Sequence, residues 1–340
     1  MDKSLVSIQK KRALIMAAMR EFFASKGFLE VFTPSFVRLP GMEPYLNPLS
    51  YEFADEKNKS FKGFVITSPE YALKKLLSKG FPKLYEITKV FRQNESFGPL
   101  HNPEFTLVEW YRPHADYKKI MKDTEELVTT TCHAVNKTLV IKYGKQRIDL
   151  SGPWQRISVR QAFKQWARID LDRCKTLAGF KKQFGARAYP IPANANWDDL
   201  FYSVFLNEIE PRFPKGKPII VYDYPLPQAS LAKRTAPKSF YAQRFEAYIG
   251  GIEIANAFSE LTDWREQYAR LKSEHALRKK LGKEMYAVDM DFINALRSGM
   301  PETGGIALGI ERLQMILLNI QDINQLLPFP AAELWRPSAK

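Results

Sequence analysis

An α+β fold, a mainly antiparallel β-sheet flanked by helices, is what the sequence predicts, and three observations carry that reading. Strand-like and helix-like segments are interspersed along 340 residues, but neighbouring strands are joined by connections too short for a crossover helix. LYEITKVFR and FTLVEWYR alternate apolar and polar residues around a polar loop, as two arms of a hairpin do. FEAYIGGIEIANAFSEL reads as a strand or strand pair with Gly250 and Gly251 as the turn. Neither an internal repeat nor a long Pro/Gly-rich hinge divides the chain, so one domain over residues 1–340 is expected.

In chain order, residues 8–27 form a helix with Leu14, Ile15, Met19, Phe22 and Phe23 on its apolar stripe and Gly27 at its end. FLEVFTPSF follows as a strand closed by Pro34. From Arg38 to Lys62 the chain is rich in Pro, Asn and Lys, which predicts a mobile or partly ordered loop. GFVITSPEYALKKLLSKG then gives a strand, a Ser-Pro-Glu helix start and a helix ending at Gly80. The hairpin is followed by a helix over 117–136. Residues 150–215 read as helix and loop with scattered Trp and Pro and no legible motif. KPIIVYDYP is a strand, a charged helix covers 263–281, and a Gly-rich strand leads into IERLQMILLNI.

Composition narrows the function. Hydrophobic residues at 45% and charged residues at 26% suit a packed globular protein. No apolar run approaches the roughly 20 residues that span a bilayer, and the first helix lacks the features of a secretory signal. Cys132 and Cys174 lie far apart, which suits a reducing cytoplasm. Neither joins a histidine at metal-ligand spacing, so a transition-metal site is not expected. The net charge of +14 predicts attraction to polyanions such as nucleic acid, an acidic protein or phosphate-rich small molecules.

Chemistry concentrates in four segments. The stretch from Phe91 to Arg112 places Arg92, Asn94, Glu95, His101, Asn102 and Glu104 on one hairpin loop beside aromatic residues. A guanidinium for phosphate, a carboxylate for the adenine amino group and a ring for the base suit a nucleoside triphosphate. In GGIALGIERLQMILL, Gly304, Gly305 and Gly309 leave room for a ligand against the backbone, and Arg312 falls in the first helical turn. Read alone, this segment is more readily a strand-to-helix turn with a solvated arginine than a ligand site; it is neither a Walker loop nor a dinucleotide fingerprint. Glu253 and Glu260 stand among apolar and small residues, either buried and paired or aimed at Mg²⁺ or an amine. Seven residues apart, they point to opposite faces unless the backbone bends near Asn256 and Ala257. Ser68-Pro69-Glu70 starts a helix, where Glu70 is favourable for electrostatic reasons alone.

Together these segments resemble the catalytic core of class II aminoacyl-tRNA synthetases over residues 8–325. The first helix and strand resemble motif one, the dimer-forming element; the hairpin resembles motif two, and GIALGIER motif three. FRQNE…HNPEFTLVEWY, TSPEYALKKLL and GIEIANAFSEL are similar to the lysyl subgroup. The core begins almost at Met1, without the N-terminal OB-fold domain of ~100 residues or more that a lysyl-tRNA synthetase carries. Ser68 and Ala307 resemble the truncated paralogues, the elongation factor P–(R)-β-lysine ligases.

The resemblance implies ATP and Mg²⁺ as substrate and cofactor. Arg92 would bind the α-phosphate; Arg312 would hold the γ-phosphate side and flank an adenine stacked on Phe105. Asn94, Glu95, Asn102 and Gly309 would complete the nucleotide site, with Glu253 and Ile254 bordering ATP and Glu253 and Glu260 as metal ligands. Ser68, Pro69, Glu70, Glu109, Tyr111, Glu260 and Ala307 would surround lysine or (R)-β-lysine. The loop after Arg92 is one residue longer than usual, leaving the adenine contact between Glu95 and a backbone group, and Ala257 and Ser259 replace Gly and His of some relatives. The implied activity is an ATP-dependent ligase that forms an aminoacyl-adenylate and transfers it to a lysine of elongation factor P, as a cytoplasmic homodimer. The alternatives are a lysyl-tRNA synthetase-like enzyme acylating tRNA or another acceptor, and a catalytically silent paralogue.

Overall fold

A computed structural model of the protein describes residues 5–191, 194–229 and 231–335. The elements run α1 (Leu5–Ser25), β1 (Leu29–Glu30), β2 (Phe36–Val37), β3 (Ser50–Ala54), β4 (Ser60–Val65), α2 (Glu70–Leu77), β5 (Leu84–Phe91), β6 (Glu104–Pro113) and α3 (Tyr117–Asn136). There follow β7 (Val140–Tyr143), β8 (Gln146–Asp149), β9 (Gln155–Ser158), α4 (Val159–Ala162), α5 (Leu177–Phe184), α6 (Trp197–Val204), β10 (Ile219–Pro225), β11 (Tyr241–Ile249) and β12 (Ile252–Ser259). The chain closes with α7 (Trp264–Lys280), α8 (Met290–Arg297), β13 (Thr303–Gly309), α9 (Ile310–Leu318) and α10 (Ala331–Leu334).

Eight strands form one sheet in the order β1-β5-β6-β13-β12-β11-β10-β9. The six inner strands pair antiparallel, and only the edge pairs β1/β5 and β10/β9 are parallel. This is the α+β architecture the sequence predicts. Gly250 and Gly251, at φ +62° and +85°, make the tight β11–β12 turn that a side chain at either position would strain. Asp116 caps α3 by accepting from Lys119 N, and Lys137 ends it in the left-handed region at φ +58°.

One face of the sheet is core. Val108 and Trp110 of β6 pack with Phe23 of α1, Ile120 and Leu127 of α3 and Leu313 of α9. Trp110 is fully buried and its ring centre lies 5.3 Å from that of Phe23. Because strand side chains alternate, Leu107, Glu109 and Tyr111 must emerge on the opposite face, where the ligand cavities lie. That face is walled by two further clusters. α2, α7 and α8 contribute Leu73, Leu77, Leu271 and Phe292. The helical segment between β9 and β10 packs Phe163, Phe180, Phe201 and Phe205 against Tyr224 and Tyr248.

Several expectations are corrected. Residues 38–62 are not a loop throughout: β2, β4 and β3 form a small antiparallel sheet whose rings Phe36, Tyr51, Phe53 and Phe61 contact in series at 4.8, 5.6 and 5.3 Å. FLEVFTPSF is not one strand; only Leu29 and Glu30 pair with β5, and Phe36 and Val37 join the small sheet instead. Leu14 is 55% exposed and lies off the buried stripe of α1, which is Ile8, Ile15, Ala18, Met19, Phe22 and Phe23. The helix α8 and the β7–β8 hairpin, unread in the sequence, complete the fold.

Candidate active site

Two adjoining cavities open on the polar face of the sheet. One, of about 280 Å³, is lined by Arg92, Glu95, His101, Asn102, Phe105, Glu253, Ile254, Gly309 and Arg312. Arg92, just past the end of β5, is largely buried, and its guanidinium carbon lies 4.9 Å from the centre of the Phe105 ring. Its Nε is buried without a hydrogen-bond partner, so this arm of the guanidinium is unengaged. Burial, and then the nearby Arg312, pull the Arg92 pKa down, while Glu95 and Glu253 support the charge. Arg312, in the first turn of α9, donates from Nη1 to the Glu253 carbonyl at 2.9 Å and from Nη2 to His101 Nε2 at 3.2 Å. It is aimed by its neighbour: Glu311 accepts from Thr106 N at 2.8 Å and Thr106 Oγ1 at 2.7 Å, which docks the start of α9 on β6.

Not every expected nucleotide residue has the same place. Asn94 sits at φ +60° outside the lining of both cavities. The Asn102 amide is engaged at both ends, donating to the Glu104 carbonyl at 2.6 Å and accepting from Ala331 N at 2.9 Å. It therefore fixes the loop against α10 in addition to lining the cavity.

The second cavity, of about 310 Å³, contains Ser68, Glu70, Glu109, Tyr111 and Ala307, and shares Leu46, Arg92, Leu107, Asn256 and Ala307 with the first. Ala307 pairs across the sheet with Glu109, which sets these two side by side on the cavity floor. Ser68 Oγ donates to Glu109 at 2.6 Å and Tyr111 Oη donates to it at 3.2 Å. Burial, then repulsion from Glu70, push Glu109 up to about 8 against those two donors. Pro69 precedes α2 and shapes its start without lining either cavity.

Glu260 departs from expectation. It lies beyond the end of β12, is 2% exposed, and lines neither of these cavities. Its carboxylate meets the buried ammonium of Lys74, which also binds Glu70 one helical turn earlier. Burial raises the Glu260 pKa and Lys74 opposes the rise; burial would lower the Lys74 pKa, but the two carboxylates outweigh it and hold the ammonium charged. This internal cation occupies the place a metal or amine would take, so Glu260 does not fit the metal role. Glu253 faces the first cavity with a carboxylate whose pKa is raised by desolvation and by Glu246 and lowered by Arg312. It alone of the two acids suits a cation accompanying a triphosphate, and the described residues hold no cluster of three metal-ligating side chains. The β11–β12 register shifts at Ile254, two residues ahead of Asn256, and this bulge is the bend that separates the two carboxylates.

The glycines are also reassigned. A Cβ at Gly305 would lie 2.2 Å from Glu260 Oε1 and 2.4 Å from the Tyr111 ring, and one at Gly304 2.6 Å from Ile120. Those two positions make room for the protein's own side chains; only Gly309 borders the nucleotide cavity.

Sequence reading missed Glu43, Tyr45, Asp198, Gln228, Arg244 and Glu274, all of which line the second cavity. The signal for Arg244 was present: in QRFEAY it stands two residues from Glu246, so both share a strand face. Arg244 Nη2 bonds Glu246 at 2.5 Å, and the Tyr224 and Tyr248 hydroxyls donate to the same carboxylate at 2.5 Å each. Part of the stretch expected to be a mobile or partly ordered loop roofs the cavity, through Glu43, Tyr45 and Leu46. Tyr45 donates to Asp198 at 3.0 Å, Arg278 donates to the Glu43 and Leu46 carbonyls at 3.0 Å each, and Lys283 donates to Asn47 Oδ1 at 2.8 Å.

Comparison with known proteins agrees with this geometry. The family model described as tRNA synthetases class II (D, K and N) matches residues 1–333. The chain is 36% identical over 327 residues to Elongation factor P–(R)-beta-lysine ligase of Yersinia enterocolitica, covering 94% of each chain, and 35% identical over 326 residues to that of Erwinia tasmaniensis, covering 94% of this chain and 93% of that protein. It is also 36% identical over 323 residues to Lysine–tRNA ligase of Chloroflexus aurantiacus, covering 95% of this chain but 64% of that protein. Among the described residues no helix is long and apolar enough to cross a membrane. With its matched segments, its antiparallel sheet and its paired arginines in register, this chain belongs to the class II tRNA synthetase family of the D, K and N enzymes, a family of ATP-dependent ligases.

Proposed function

We propose that this protein activates lysine or (R)-β-lysine with ATP as an aminoacyl-adenylate and transfers the acyl group to a lysine of elongation factor P. The observation that carries the reading is the convergence of Arg92 and Arg312 on one cavity that joins, through Arg92 and Ala307, a second cavity rich in carboxylates. The first suits a triphosphate and the second a cationic amino acid, with Arg92 at the junction where the two would react.

In this reading the substrate carboxylate, already ionised at pH 7, attacks the α-phosphorus with no general base. The new acyl–phosphate bond forms as the bond to the β-phosphate breaks, and pyrophosphate leaves. Arg92 stabilises the charge that grows on the α-phosphoryl oxygens, while Arg312 holds the far end of the triphosphate. Phe105, covered on one side by Arg92, offers its ring to the adenine, and Glu95 lies within the same cavity to meet its amino group. Mg²⁺, when bound, would offset triphosphate charge, with Glu253 in the cavity wall to hold it. Ser68 and Tyr111 orient Glu109 toward an ammonium, and Glu70 stands beside it.

The acceptor assignment rests on the relatives named Elongation factor P–(R)-beta-lysine ligase, matched over nearly their whole length, and on the +14 net charge, which complements an acidic protein. A homodimer through the N-terminal helix and strand fits the exposed Leu14, Leu29, Phe32 and Phe36 on that side of the chain. A second reading, acylation of tRNA in a cytoplasmic setting, is favoured by the equal identity to Lysine–tRNA ligase. A silent paralogue is disfavoured by the buried Nε of Arg92, which the protein leaves without a hydrogen-bond partner. The test is pyrophosphate exchange dependent on either lysine isomer, followed by incubation with labelled amino acid and each acceptor. Label on elongation factor P supports the proposal, label on tRNA alone replaces the acceptor, and absence of exchange with both isomers rejects the activity.

A further inference from the structure

Glu95, Glu253 and Glu311 line the nucleotide cavity. The proposed reaction has uses for the first two, at the adenine amino group and at a cation, and none for Glu311. That side chain is 2% exposed, and its oxygens accept from Thr106 N and Thr106 Oγ1 at 2.8 and 2.7 Å. A carboxylate in this position is costly twice over: it is desolvated, and it repels the phosphates the cavity is shaped to hold.

The compensating cation comes from α1. Arg12 Nη2 lies 3.5 Å from Glu311 Oε1, yet Arg12 does not line the cavity. Its remaining nitrogens are engaged as well. Nε donates to Oε1 of the fully buried Gln314, on the same face of α9 as Glu311, at 2.8 Å, and Nη1 donates to Gln9 Oε1 and to the Leu326 carbonyl at 3.2 Å each. Gln9 Nε2 donates to that same carbonyl at 2.9 Å. Burial pulls the Arg12 pKa down, and Glu311 opposes the fall. One side chain thereby joins several parts of the nucleotide cavity. Glu311 and Gln314 fix the start of α9, from which Arg312 projects. The Leu326 carbonyl belongs to the turn after α9, where Ile323 lines the cavity and donates its N–H to the Pro99 carbonyl at 2.8 Å, bracing the β5–β6 loop beside Leu100 and His101. Ile8 of α1 packs with Met315, Ile323 and Leu326 in the same region.

We propose that Arg12 is a positioning residue for the nucleotide: it neutralises Glu311 from outside the cavity and locks the first turn of α9, so that Arg312 is held in place and Glu311 sets no uncompensated charge against the phosphates. The inference rests on the ATP-dependent reading above for the identity of the ligand. Arg12 acts through Glu311 and Gln314, and its planar fork suits the task because one guanidinium serves a carboxylate, an amide and a backbone carbonyl at once.

The experiment measures nucleotide binding and turnover separately. Calorimetric titration of the full chain with ATP and Mg²⁺, in the absence of amino acid, reads binding, and pyrophosphate exchange reads kcat and the two KM values. Arg12→Met removes the charge and is expected to raise both Kd and KM for ATP about tenfold, with the KM for amino acid within about twofold of the parent. Arg12→Lys, which returns the charge without the fork, should recover part of the ATP affinity. Arg12→Met combined with Glu311→Gln removes the unpaired carboxylate and should bind ATP more tightly than Arg12→Met alone. Should Arg12→Met melt well below the parent, Arg12→Gln takes its place, alone and in the double variant, with the same losses and recoveries expected. A merely structural role would lower the melting temperature without this pattern. Parent-like ATP affinity in the neutral variant, an equal rise in both KM values, no recovery by lysine, or a double variant that binds ATP no better than the single one overturns the proposal. So does a parent chain that binds no ATP. ATP binding that depends on Arg12 without any pyrophosphate exchange would keep the positioning role and reject the activity.

Discussion

Lys74 offers the sharpest test of how the amino-acid end of the site is built. Its side chain is 1% exposed and its ammonium lies between Glu70 and the fully buried Glu260. Lys74→Met keeps the length and removes the charge, leaving Glu260 buried beside another acid. Breaking a buried pair in this way costs about 3–5 kcal/mol, because the desolvated partner loses its compensation. At roughly 2 °C per kcal/mol for a chain of this size, the melting temperature should fall by about 5–10 °C. The loss should also depend on pH. The folded-state pKa of Glu260 is already raised above its unfolded value, so the folded protein binds more protons than the unfolded one between the two, and its contribution to stability falls as pH rises through that window. Without Lys74 the rise is larger and the penalty at neutral pH greater. The gap between parent and variant, followed by differential scanning calorimetry, is therefore expected to widen from pH 5 to pH 8. Lys74→Met combined with Glu260→Gln should recover part of the loss at pH 8. A gap that is the same at both pH values, or a double variant no more stable than the single one, would refute the electrostatic account.

Four further outcomes follow from the same geometry. Arg92→Ala and Arg312→Ala should each cut the rate of pyrophosphate exchange by about 10²–10³ with little change in melting temperature, since neither guanidinium anchors the core. Ser68→Ala removes the 2.6 Å hydrogen bond to Glu109 and should raise the KM for the diamino acid about tenfold, leaving the KM for ATP alone. Because Glu109 is held up at about 8 in the empty site, KM for the amino acid should fall as pH rises from 6.5 toward 8.5, the carboxylate being the form that takes an ammonium; a flat profile would remove Glu109 from amine binding. Gly305→Ala places a methyl 2.2 Å from Glu260 Oε1 and should destabilise by about 1–3 kcal/mol in urea titration.

Legibility in the sequence followed the range of the interactions. The β5–β6 hairpin, the Gly250-Gly251 turn and α3 are local features, and their periodicity and caps place them to within a residue or two. Glu109 and Tyr111 follow from the resemblance, and alternation along β6 agrees by putting them with Leu107, opposite Trp110. The small sheet was not, since SYEFA and SFKGFV do not alternate cleanly and β2 is two residues long, held by partners distant in the chain. Glu43 and Glu274 were hidden for the same reason: no spacing relates residues from a roof segment to residues on α7. Lys74 reads in the sequence as one more lysine on a helix, and only its ion pair with Glu260, just past the end of β12, reveals a buried cation. The glycines before Arg312 misled, because a residue without a side chain looks alike whether it admits a ligand or a neighbouring carboxylate.

The roof over the site has a consequence of its own. Leu46 touches both chambers, and the strand of chain around it is lashed down by Arg278, Lys283 and Asp198, and by the Gln93 amide donating to the Asn47 carbonyl at 2.8 Å. A single ceiling thus spans two rooms, and it cannot lift from one without loosening over the other. Whichever guest enters first bears the entropy of settling that ceiling, and the second finds it already settled. On the proposed function the expected thermodynamic signature is mutual: nucleotide would tighten the hold on amino acid by the same factor that amino acid tightens the hold on nucleotide.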